Sequence, residues 1–201
     1  LDKRQSEKLE GVFFLQIQVR PFLSFVSAVV ISHRSWEIFL TMKWFSERYI
    51  YKSSRNGDIL VRRSLGVWRV SVDNCGQTTS YTRAMCVDAM KRVSCMRPDL
   101  TVSSVLTLGL GAAGDIRTLH KQFPNCIITA IEYDPEMVML AKKLKLYKPF
   151  PFPEILLGDA SEVVPHIKKT FDLITFDLFL GAEPSPLMHD PEFITKLKGL
   201  L

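Results

Sequence analysis

Three features of the 201-residue chain predict an α/β fold with a mainly parallel sheet, preceded by a small β-hairpin region. Apolar runs alternate with helix-like stretches from residue 99 onward. A glycine-rich turn closes the first of these runs. Two short β-rich runs precede them, around a Ser-Leu-Gly turn. Continuous apolar strands joined by helices imply a parallel sheet covered on both faces, with right-handed crossovers and ligands at the carboxyl ends of the strands.

The elements follow in order. Residues 57–63 (GDILVRR) and 67–74 (VWRVSVDN), parted by Ser64-Leu65-Gly66, read as a β-hairpin. Residues 81–93 set Met85, Val87, Ala89, Met90 and Val93 near helical spacing, and Pro98 breaks the chain beyond them. Then come strand 105–110 with helix 115–122, strand 127–133 with helix 135–146, strand 154–159 with helix 161–169, and strand 171–177 with a polar loop and a helix from 191. Pro135 suits a first helical turn. KPFPFP (148–153) reads as a rigid connection into the third strand that also shapes the pocket entrance. The expected organisation is an N-terminal extension over 1–42, a hairpin-and-helix region over 43–98 and a nucleotide-binding domain over 99–201.

Composition narrows the classes. Hydrophobic residues make up 47% of the chain, enough for one sizeable core. The net charge is +5, but Lys and Arg are scattered singly and in pairs, so no nucleic-acid partner is expected. Cys75, Cys86, Cys95 and Cys126 form no CxxC pair and have no metal-ligand spacing with the four histidines. Reduced thiols, a cytoplasmic location and no metal are the expectation. The apolar run 22–32 (FLSFVSAVVIS) has eleven residues, against about 20 needed to cross a bilayer. It reads as a buried helix or strand, and no membrane partner is expected.

Gly109, Gly111 and Gly114 make a GxGxxG turn between the first strand and its helix, where free amides can face an electron-rich group. Glu132 ends the next strand, eighteen residues beyond Gly114, where a carboxylate can accept hydrogen bonds from a ribose diol. These two features fit a nicotinamide dinucleotide and an adenosylmethionine-type ligand equally. Asp159 and Ala160, after the third strand, would meet adenine, and Asp177, after the fourth, would stand beside a sulfonium and an incoming nucleophile. Acids closing three successive strands repel one another unless ligand or solvent uses them. Asp134 and Ser161 read as helix caps, and Asp172 as a fold residue. His120 and His166 read as packing or surface residues, and Trp44 and Trp68 as packing.

VLTLGLGAAGD, AIEYDPEMVMLAKK, LLGDA and FDLITFDLF together resemble the spermidine synthase-like (polyamine aminopropyltransferase-like) branch of the class I S-adenosylmethionine-dependent methyltransferase superfamily, over residues 57–200. The resemblance implies a Rossmann-like class I methyltransferase fold whose C-terminal strands are missing from this sequence, since the alternation ends after the fourth strand. It also implies S-adenosylmethionine or its decarboxylated form as co-substrate, a small-molecule amine or other nucleophile as acceptor, and a homodimer. By the same resemblance, Gly109 and Gly111 border the methionine part of the ligand, Glu132 the ribose, Asp159 and Ala160 the adenine, and Gln77 the nucleoside side. Asp177 matches the acid that deprotonates or orients the attacking amine.

The chain departs from that pattern at the acceptor. Polyamine-making members follow the acid with Ser-Ser-Asp-Pro or a similar acidic run, whereas this chain continues Leu178-Phe179-Leu180-Gly181. Thr78-Thr79-Ser80 stands where an acidic pair is expected, and Glu183 is the one nearby substitute. A dication needs carboxylates at both ends of its slot to offset desolvation. Three readings stay open: an aminopropyl- or methyltransferase, a non-catalytic relative that binds a nucleotide or a partner, and a nicotinamide-dependent oxidoreductase.

Overall fold

The computed structural model describes residues 46–201 except 74, 181 and 182. The expectations for 1–42, for the run 22–32 and for Trp44 lie outside the described residues. No described helix is long and apolar enough to cross a membrane.

An antiparallel sheet comes first, larger than the expected hairpin. Its strands are β1 (Ser46–Ser53), β2 (Gly57–Ser64), β3 (Val67–Val72) and β4 (Cys75–Gly76), in the order β1-β2-β3-β4. The sequence reading missed β1 because its polar positions Glu47, Arg48 and Lys52 hide the alternation. Only one face of this sheet is fully covered. Ile59, Val61, Val70 and Val72 pack on Ala112, Met137 and Leu140.

Helix α1 (Ser80–Met96) follows, and Thr79 and Thr82 cap it reciprocally, each satisfying the other's backbone N–H. Beyond Pro98 the second sheet is fully parallel, in the order β7-β6-β5-β8: β5 (Ser104–Leu108), β6 (Ile127–Glu132), β7 (Glu154–Leu157) and β8 (Leu173–Phe176). Its connections are α2 (Ile116–Gln122), α3 (Pro135–Leu144) and the short α4 (Ala160–Val163), and α5 (Pro191–Lys198) follows the last strand. The helix expected over 161–169 is cut short, because α4 passes at once into a 3-10 turn, Val164–His166, containing Pro165. Between β8 and α5 the chain forms a two-residue ladder, β9 (Phe179–Leu180) against β10 (Glu183–Pro184).

Residues of β5 are buried in an unbroken run, as the apolar pattern requires of a strand covered on both faces. On one face Val105, Ile128 and Ala130 meet Met90, Ile116, Leu119 and Ala141. On the other, Leu106, Leu108 and Ile131 meet Ala160, Val164, Phe193 and Leu197. The strand order reverses at β5, so the loops after β5 and β8 diverge and leave a crevice between them.

Asp172 is a fold residue. Its Oδ2 accepts from the backbone N–H of Ser103 and Ser104 and from the Ser104 hydroxyl, at 2.8–2.9 Å, tying β8 to β5. His120 is buried and stacks on Phe150, their ring centroids 5.0 Å apart, whereas His166 is exposed. Trp68 is half-buried beside Tyr49 and under the Arg63 guanidinium. The connection KPFPFP leads into β7 as expected, but it lies away from the crevice entrance. Phe150 packs on His120 and Phe152 on Tyr147, at the far side of α3.

Candidate functional site

The crevice at the carboxyl ends of the parallel strands is lined by Gly109 and Gly111 after β5, Glu132 and Tyr133 after β6, Asp159 and Ala160 after β7, and Asp177 after β8. Three strands are extended by one further ladder bond: Gly109 N–H to Ile131 O, Gly158 N–H to Glu132 O and Asp177 N–H to Leu108 O, each 2.9 Å. These bonds bring the four strand ends level, and the side chains expected from the sequence converge.

Gly109 is required by its neighbour. Its φ is +90°, and a Cβ there would lie 2.3 Å from the Asp177 carbonyl oxygen, so only glycine lets the first turn close against the end of β8. Gly111, at φ +52°, would bring a Cβ 3.5 Å from Gln77 Oε1, which places Gln77 against the glycine turn. Gly114 is different. Its backbone is not left-handed, its nearest neighbour is the Thr78 methyl at 3.7 Å from an added Cβ, and it does not line the crevice.

Glu132 is buried and has a role beyond the one read from sequence. Oε2 accepts from Leu110 N–H and Gly111 N–H, both 3.1 Å, and Oε1 accepts from Tyr133 N–H at 3.0 Å and Asp134 N–H at 3.1 Å. All four acceptor sites of the carboxylate are thus engaged by backbone. Burial raises its carboxyl above the ordinary range, while the bonds from Asp134, Leu110 and Gly111 pull the other way. A ligand diol at this position would share acceptors with the amides that fix the glycine turn.

The cap of α4 is Asp159, not Ser161. Asp159 Oδ1 accepts from Ser161 N–H at 2.8 Å and from the Ser161 hydroxyl at 2.6 Å, and Oδ2 has no partner among the described residues. Asp134 caps α3 as expected. It is fully buried, with Oδ1 accepting from Glu136 N–H and Met137 N–H and Oδ2 from Ser53 Oγ at 2.7 Å and from the Asn56 amide. Burial pushes its carboxyl up, but the bonds from Ser53 and Asn56 outweigh this and hold it below the usual range. Asn56 Oδ1 also accepts from Tyr133 Oη at 2.7 Å. The β1-β2 turn is thereby fastened to the end of β6, and Asn56, Val72 and Gln77 become crevice wall.

Asp177 is open to the crevice, and desolvation by the protein atoms around it raises its carboxyl. Behind it lies a cluster the sequence did not reveal. Asp115, at the start of α2, makes no capping bond with its side chain. Burial, with repulsion from Asp177 added, pushes its carboxyl up to about 7. Cys86 of α1 lies beside Asp115 and Thr118, and burial followed by the nearby acids raises its thiol far above the ordinary range. Beyond Asp177 the crevice wall is formed by Leu178, Phe179, Ser185 and Leu187. Glu183 is exposed on β10 and does not line it.

The sequence pattern could not supply Asn56, Tyr133, Leu187 or Asp115. Asn56 and Leu187 lie outside the strand-end motifs, Tyr133 stands within one but read as a strand residue, and Asp115 read only as a helix start.

Comparison with known proteins agrees with this architecture. Residues 106–189 match the family model described as a methyltransferase domain. The fold is that of the class I methyltransferases. Among solved structures, the chain is similar to a probable spermidine synthase from Corynebacterium glutamicum, with 19% identity and a TM-score of 0.62 over 75% of this chain and 58% of that one. It is also similar to spermidine synthase from Thermotoga maritima, with 21% identity and a TM-score of 0.57 over 76% and 53%. A spermidine synthase solved with the transition-state analogue AdoDATO gives 22% identity and a TM-score of 0.57 over 76% and 52%. The chain therefore spans 52–58% of the length of these relatives. No curated protein matches it. The class I methyltransferase fold accounts for the parallel sheet and for the position of the crevice at its strand ends.

Proposed function

We propose that this crevice binds S-adenosylmethionine or its decarboxylated form and positions it for alkyl transfer to an amine or another nucleophile. The observation that carries the reading is the convergence of Gly109, Gly111, Glu132, Asp159 and Asp177 at four level strand ends. The glycine turn presents backbone to the amino-acid part of the ligand, Glu132 meets the ribose, and Asp159 with Ala160 meets the adenine. Asp177 faces the cationic sulfur.

Transfer asks little covalent chemistry of the chain. The nucleophile's lone pair forms a bond to the carbon attached to sulfur as the carbon–sulfur bond breaks, leaving a neutral thioether. The protein holds the two in line. Asp177 orients the nucleophile and accepts its proton, and a raised carboxyl pKa brings it nearer to working pH for that task.

Methyl transfer is favoured over aminopropyl transfer by the acceptor wall. Leu178, Phe179 and Leu187 surround a single acid, Asp177, so a dicationic acceptor would lose hydration without a second carboxylate. Calorimetric titration of the chain with S-adenosylmethionine, decarboxylated S-adenosylmethionine and methylthioadenosine tests this. Tighter binding of the intact donor is expected. Tighter binding of the decarboxylated donor would shift the reading to aminopropyl transfer, and no binding of any of the three to folded protein would overturn it.

A further inference from the structure

The solvent face of the N-terminal sheet carries a row of arginines that the linear sequence hides. In the antiparallel register Arg48 lies directly opposite Arg62, and Arg62 directly opposite Arg69. Residues paired in this way project to one side of the sheet, and all three are exposed. Adjacent strands are about 4.8 Å apart, so three guanidinium stems stand in a line about 10 Å long across β1, β2 and β3.

Like charges directly opposite one another destabilise a sheet. Elsewhere in this sheet the charges are matched: Lys52 pairs with Asp58 and Arg63 with Glu47. Among the described residues no acid pairs with Arg48, Arg62 or Arg69. The next row on the same face is Ile50, Leu60 and Ser71, with Ile50 53% exposed. This face is the reverse of the one that Ile59, Val61, Val70 and Val72 bury against α3.

We propose that this face docks an amphipathic helix of a partner protein that carries an acidic stripe beside an apolar one. The spacing selects a helix. Carboxylates at i, i+4 and i+7 rise about 10.5 Å along a helix axis, close to the length of the arginine row. Three alternate residues of an extended strand would span about 13 Å and overshoot it. A helix also brings an apolar stripe beside its acidic one, to meet Ile50 and Leu60. A nucleic-acid backbone offers nothing to that apolar row, and among the described residues this face carries no aromatic ring for a base to stack on, since Tyr49 and Trp68 project from the other side. Residues 1–45 of the chain itself hold six Lys and Arg against four Asp and Glu, so as a segment they do not complement the row.

The test is fluorescence anisotropy on the full chain with a labelled peptide of about 18 residues, rich in Ala, bearing Glu at i, i+4 and i+7 beside Leu. A matched peptide with Gln at the three positions and a single-stranded oligonucleotide serve as the other arms. Each of Arg48→Ala, Arg62→Ala and Arg69→Ala should weaken the peptide about threefold, and the triple variant about thirtyfold. Ile50→Ser should also weaken it, and the Gln peptide should bind the parent as poorly as the Glu peptide binds the triple variant. The thermal melting temperature of the arginine variants should stay level or rise, because repulsion is removed. Equal binding by parent and triple variant, equal binding of the Gln peptide, tighter binding of the oligonucleotide, or no peptide binding at about 1 mM would each overturn the proposal.

Discussion

Replacing Glu132 by Gln should cost more in folding than its place in a ligand site would lead one to expect. The carboxylate accepts four backbone N–H groups, two on each oxygen, at 3.0–3.1 Å. Glutamine keeps one acceptor oxygen and turns an amide donor toward the other two N–H groups, so two charge-assisted bonds are lost at about 1.5–3 kcal/mol each. Relief from burying an anion offsets part of that sum of about 3–6 kcal/mol, leaving a net loss of about 2–5 kcal/mol. That is a large share of the roughly 5–15 kcal/mol that stabilises a typical domain. Urea unfolding followed by circular dichroism measures it, with Glu132→Ala expected to lose more because all four amides are orphaned. A Gln variant within about 0.5 kcal/mol of the parent would refute the reasoning, since it would mean that the glycine turn does not depend on this carboxylate. The same arithmetic bears on ligand titrations. Lost binding in Glu132→Ala counts as a ligand effect only after the variant is shown to be folded.

The glycines of the turn should separate sharply: Gly109→Ala, with its added Cβ 2.3 Å from a backbone oxygen and φ +90°, should lose on the order of 3 kcal/mol in urea unfolding. Gly114→Ala, 3.7 Å from a methyl group, should stay within about 1 kcal/mol of the parent. Asp115 should make stability fall with rising pH. Its folded carboxyl, raised from 3.8 to about 7, holds a proton more tightly than the unfolded one, so its contribution is fully present below about pH 4 and lost as pH rises to about 7. The loss is at most about 4 kcal/mol, and Asp115→Asn should flatten that part of the curve and exceed the parent in stability at pH 8. Iodoacetamide at pH 8 should label exposed Cys95 well before Cys86, whose thiol is held protonated by burial and by its acidic neighbours; mass spectrometry of digests reads the order, and equal rates would contradict the cluster.

The parallel sheet was legible because the central strands β5 and β6 are buried on both faces and therefore written as continuous apolar runs, while the edge strands β7 and β8 are only half-buried but keep an apolar run. The crevice was legible because each strand ends in a chemically distinct residue at a predictable interval. What escaped the sequence depends on contacts between distant segments. The Asn56 amide meets Asp134 and the Tyr133 hydroxyl across more than seventy residues, and nothing local to Asn56 marks it as more than a turn residue. Strand β1 escaped because its edge position lets polar residues occupy most of its places. The capping role expected of Ser161 falls to Asp159 because either side chain suits an N-cap, and only the extended backbone of Asp159 decides between them.

Glu132 and Gly109 also show why the fold and the site cannot be varied independently. Gly109 exists to let two strand ends meet, and that meeting is what sets Asp177 beside the glycine turn. Glu132 exists to bind the amides of that turn, and the same carboxylate faces the crevice. A relative that lost its chemistry would still be required to retain both residues in order to fold, so their presence alone does not separate an enzyme from a folded relic. Asp177 is the residue that does. Its backbone N–H serves the ladder, but its carboxylate opens into the crevice, makes no hydrogen bond among the described residues and is raised by desolvation. Asp177→Asn should therefore leave stability in urea unchanged or raise it at neutral pH, because it removes the repulsion on Asp115, while abolishing the proposed alkyl transfer, and an unimpaired transfer rate in that variant would exclude Asp177 from the reaction.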